Sequence, residues 1–146
     1  MKIVIFLSVL CLSLFGAGES SWSFLKQLKL KKDQISYIKW IENESVFHMT
    51  LRWTLFKNGG LVVLMNKNGF PTQHVLYKKR DLDSLSFQLV PDIAHFGDRV
   101  YLLIKFDSFK LVKNVRYAFL DISIKDPKQR VLVEFYDPSK NKNGEQ

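Results

Sequence analysis

Beyond its eleventh residue the chain has no cysteine: Cys11 is the only one in 146 residues. Disulfide bridges, thiolate metal sites and cysteine nucleophiles are therefore excluded from the rest of the protein. Arginine is also scarce, at positions 52, 80, 99, 116 and 130, although the formal net charge is +8. Readers of base edges rely on bidentate arginine, and this excess is mostly lysine spread along the chain, so no nucleic-acid partner is expected. After the first eighteen residues no stretch keeps a helical apolar period for three turns, which leaves helix a minor part at most. Phosphate-cradling glycine loops, the G-x-S-x-G elbow and H-E-x-x-H are all missing.

The opening segment MKIVIFLSVLCLSLFGAGES carries one cation, Lys2, then an apolar run from Ile3 to Ala17 and small residues at Gly16 and Gly18. That run falls short of the ~20 residues needed to cross ~30 Å of hydrocarbon. The order of basic, apolar and small residues fits a secretory signal peptide over 1–18, cut after Gly18 or Ala17, with an uncleaved anchor as the alternative. Leu10 precedes Cys11, where lipid attachment requires a small residue. The mature chain of about 128 residues is long enough for one core, and its lack of cysteine points to a bacterial periplasm or secretion. Without Lys2 it carries 21 cations against 14 anions, a charge of +7 that favours anionic partners, an anionic membrane surface included. The sequon Asn43-Glu44-Ser45 matters only in a host that glycosylates it.

What the mature chain does contain is period-two alternation. In VFHMTLRWTLF, Phe47, Met49, Leu51, Trp53 and Leu55 share one side, while His48, Thr50, Arg52 and Thr54 share the other. Leu85, Phe87 and Leu89 form a second apolar side, and Val131, Val133 and Phe135 a third. The weaker alternation from Gln27 to Ile41 gives one or two strands broken near Lys32-Asp33. Asn58-Gly59-Gly60 and Asn68-Gly69 are hairpin corners, and Asp126-Pro127-Lys128-Gln129 is a short connection. Pro71 belongs on an edge or at a strand start. The expectation is an all-β domain over 19–136, an antiparallel β-sandwich of about seven to eight strands, with a small closed β-barrel as the alternative. A polar tail over 137–146 is expected to be disordered.

Two runs are apolar on both sides. Val100, Leu102, Ile104 and Phe106 oppose Tyr101 and Leu103, and Ala118, Leu120, Ile122 and Ile124 oppose Tyr117 and Phe119. Such strands are covered on both faces, by a loop or N-terminal element of the same chain or by a partner. Tyr101, Leu103, Tyr117 and Phe119 are accordingly the candidate partner-binding residues. Asp92, His95 and Asp98, spaced by three in PDIAHFGD, are a weak candidate for a metal site or hydrolase; a short helical turn capped by Asp92 and ended by Gly97 is the more common reason for such a pattern. No cofactor is expected. The pattern points to a non-enzymatic protein that binds a protein partner in the cell envelope; in the barrel alternative the interior would carry a small apolar ligand.

Overall fold

The structure, a computed structural model, describes residues 22–79, 81–90 and 99–136. Its described residues form nine antiparallel strands: β1 (Ser23–Lys31), β2 (Ser36–Glu42), β3 (Ser45–Lys57), β4 (Gly60–Lys67), β5 (Phe70–Tyr77), β6 (Ser84–Gln88), β7 (Tyr101–Val112), β8 (Val115–Lys125) and β9 (Leu132–Tyr136). The number exceeds the expected seven to eight because both halves of the Gln27–Ile41 stretch form strands. One sheet has the order β1-β8-β7-β6 and the other β5-β4-β3-β2-β9. The chain is an all-β sandwich, and the sheets do not close into a barrel. The barrel alternative is thereby corrected, together with a carrier that encloses its ligand inside one. The expected leader over 1–18, the trio Asp92, His95 and Asp98, and the tail over 137–146 lie outside the described residues.

Alternation places the core between the two sheets. On β7 and β8, Leu102, Ile104, Phe106, Ala118, Leu120 and Ile122 are fully or almost fully buried. Ile38, Trp40, Met49, Leu51, Trp53, Leu61 and Val63 face them from the second sheet. Complete burial of one such side chain contributes about 1.5–3 kcal/mol, so a core of this kind can hold the fold without crosslinks. Strands far apart in sequence are joined, β1 to β8 and β2 to β9, which fastens both ends of the described domain.

Two-residue turns set the local register. Asn58-Gly59 (φ 52° and 78°) and Asn68-Gly69 (φ 50° and 89°) have the left-handed pair of conformations of a type I′ hairpin, whose twist matches that of the strands. Asn43-Glu44 (φ 44° and 68°) and Lys113-Asn114 (φ 48° and 62°) turn the same way without glycine. Gly60 meets a different demand, because a Cβ there would stand 2.6 Å from the Tyr77 ring. Pro71 lies on β5, an edge strand where a missing N–H is tolerated.

Two bulges change which side chains face inward. The β3–β4 register shifts between Trp53 and Leu55, so Leu55 is 51% exposed and Phe56 packs against the core. The expectation that Leu55 continues the face of Phe47 to Trp53 is corrected: one extra residue reverses the phase of everything after it. A second shift, between Phe106 and Ser108, brings Phe109 to the inner side. Phe56 and Phe109 then stack across the sandwich, centroids 4.1 Å apart and planes at 18°. The carbonyl of Asp107, the bulged residue, accepts a hydrogen bond from Lys78 Nζ.

Candidate binding surfaces

The outer side of the four-stranded sheet carries all four residues singled out for partner binding. Tyr101 and Leu103 on β7, and Tyr117 and Phe119 on β8, point away from the core and are half-buried. They do not form one apolar patch. Tyr101 stands opposite Lys125 and Leu103 opposite Ser123, whereas Tyr117 stands opposite Lys110 and Phe119 opposite Ser108. Between these pairs lies Lys105 opposite Asp121, and four residues along a strand, Phe119 to Ser123, span roughly 13 Å.

Lysine covers the rings at one end of this face. Lys29 Nζ sits 4.4 Å from the Tyr117 ring centroid, and Lys110 Nζ sits 5.1 Å from that of Phe119. Lys29 and Lys31 of β1 stand opposite Phe119 and Tyr117. An ammonium over a ring face contributes about 0.5–1 kcal/mol when exposed, and the lysine stem shields the ring from water. The half-burial of these aromatics thus comes from neighbouring strands of the same sheet. Asp121 accepts a hydrogen bond from Gln27 Nε2 at 2.8 Å, and this carboxylate is outnumbered on the face by Lys29, Lys105, Lys110 and Lys125.

A concave region opens between the sheets, where β6 and β5 are edge strands. It is a cleft of about 860 Å³ lined by Phe47, Phe70, Leu85, Phe87 and Leu89, with polar groups at its rim. Lys67 enters it from β4, and Nζ donates to the Gln88 carbonyl at 2.6 Å across the gap. The same ammonium lies 5.7 Å from the Trp40 ring and 5.4 Å from the Phe87 ring. Desolvation by burial holds the Lys67 pKa below its ordinary value. His74 and Thr72, on β5, make a 3.2 Å contact between Nε2 and Oγ1.

Sequence reasoning placed no function on this cleft, although one signal was available. Lys67 shares the parity of Val63 and Met65, both inward-facing, so continuing the alternation sends Lys67 inward as well. Its position beside an Asn-Gly corner makes it look like an ordinary solvent lysine. Among the described residues no three His, Cys, Asp or Glu side chains gather to hold a metal ion. Comparison with protein-family models, curated proteins and solved structures finds no match for this chain.

Proposed function

We propose that this protein is exported, to a bacterial periplasm or beyond the cell, and acts without catalysis by docking a protein partner of the envelope on the outer side of its four-stranded sheet. The observation that carries this reading is the pairing of outward aromatics with lysines, Lys29 over Tyr117 and Lys110 over Phe119. A sheet face bearing rings and ammonium groups offers apolar contact area and positive charge together. Its complement is a protein surface rich in carboxylates with an apolar centre, steered in by the opposite charge.

Native envelope, chemically crosslinked and then captured on the tagged protein, tests this. The expected result is a discrete adduct that weakens as salt is raised, disappears with Tyr117→Lys and Phe119→Lys combined, and persists with Arg52→Ser on the opposite outer face. Persistence of the adduct in the double variant contradicts the proposal. So does an attachment to anionic lipid vesicles that accounts for all envelope retention, because the partner is then a membrane surface.

A further inference from the structure

β5 and β6 are edge strands of the two sheets, and they approach each other across the gap between them. Along the inward side of β5, Phe70 and Thr72 are exposed, His74 is half-buried and Leu76 is buried. Phe70 is 75% exposed there, although its ring lines the inter-sheet cleft. Past Leu76, Tyr77 N–H donates to the Leu82 carbonyl at 2.9 Å, a bridge from β5 to the segment that leads into β6. The space, about 860 Å³, falls in the range of roughly 300–1,000 Å³ that accommodates small ligands.

Among the described residues, the charge lining this cleft has one sign. Its described lining residues include no Asp or Glu, and Lys67 supplies a cation. An ammonium has three N–H donors. One goes to the Gln88 carbonyl, and the Trp40 and Phe87 rings flank the group. Rings attract the charge but replace lost hydration only in part, so an incoming anion gains both a hydrogen-bond donor and a partly desolvated charge. The walls formed by Phe47, Leu85, Phe87 and Leu89 favour a hydrocarbon tail.

We propose that the cleft between β5 and β6 binds a singly charged carboxylate amphiphile of the fatty-acid class, its carboxylate on Lys67 and its chain against Phe47, Leu85 and Phe87. A single lysine matches one carboxylate charge, and Asn68 at the rim offers a further amide donor. The lowered Lys67 pKa agrees, because a bound carboxylate restores the charge stabilisation that burial removes. This site is separate from the outer sheet face, and loss of either leaves the other intact.

The test titrates the purified protein with dodecanoate, dodecanol and dodecyltrimethylammonium, each below its micelle concentration, by calorimetry. Saturable binding of dodecanoate is expected, at least about tenfold tighter than dodecanol, with the ammonium amphiphile weakest. Lys67→Met should abolish the preference for carboxylate over dodecanol, and Lys67→Arg should retain it. Thr72→Trp, which fills the cleft from an exposed position, should weaken both ligands about tenfold or more. No saturable dodecanoate binding, equal affinity for all three amphiphiles, or an undiminished preference in a folded Lys67→Met protein overturns the proposal. If Lys67→Met fails to fold by circular dichroism, loss of preference in Lys67→Arg or intact binding in Thr72→Trp overturns it equally.

Discussion

The indole Nε1 of Trp53 donates a hydrogen bond of 2.8 Å to the main-chain carbonyl of Leu30, tying β3 of one sheet to β1 of the other. Both residues are buried, so the bond is shielded from water and its loss leaves an acceptor without a partner. Trp40 is equally buried, yet its Nε1 has no partner among the described residues. The two tryptophans should therefore respond differently to the same substitution. Trp53→Phe is expected to cost roughly 2–3 kcal/mol and Trp40→Phe no more than about 1 kcal/mol, read from urea unfolding. Equal losses would deny the inter-sheet bond its role.

The bulge in β3 predicts opposite tolerances at two adjacent positions. Leu55 faces solvent, so Leu55→Lys should change stability by less than about 0.5 kcal/mol. Phe56 stacks on Phe109 and meets Phe106 edge-on, at 6.0 Å between centroids, so Phe56→Ala should cost roughly 3 kcal/mol. Uninterrupted alternation would give the reverse order, and thermal melts of the two variants discriminate.

The glycine-free corners store strain that glycine can relieve. Glu44 sits at φ 68°, in the left-handed region where a side chain costs about 1 kcal/mol. Glu44→Gly should raise the midpoint of thermal unfolding, by roughly 1 kcal/mol of stability, with the hairpin register unchanged. A lower midpoint would mean that the Glu44 side chain makes a compensating contact.

Lys67 gives stability a pH dependence of definite sign. Desolvation lowers its folded pKa from 10.5, so between the folded value and 10.5 the unfolded chain binds more protons. Its contribution is present above 10.5 and is lost as pH falls through the folded value. Unfolding free energies of the native chain and Lys67→Met, measured from neutral pH to about pH 11, should show the native chain gaining on the variant as pH rises. A difference that is flat across this window contradicts the desolvation of Lys67.

Much of the fold was legible because burial here follows strict alternation. The two Asn-Gly corners, the edge position of Pro71 and the inward sides of β6, β7 and β8 follow directly from residue type and parity. Leu55 and Phe56 escaped because a bulge is one extra residue with no distinctive composition, and Thr54 resembles any strand residue. The corners at Asn43-Glu44 and Lys113-Asn114 lack the glycine that announces a hairpin. The outward positions of Tyr117 and Phe119 were readable from parity, but their lysine covers were not. Lys29 reaches Tyr117 only because β1 pairs with β8, nearly ninety residues away in sequence, and no local pattern encodes that. The cleft was hidden for the same reason, since β4, β5 and β6 meet at it through the stacking of two sheets.

Docking through the outer sheet face is tested most directly by a photo-crosslinking amino acid placed at position 119, with the same group at position 64 on the opposite outer face as reference. Illumination of intact cells should give one discrete protein adduct from position 119 and none from position 64. The same adducts from both positions, or none from position 119 while the protein is folded and exported, would contradict the account.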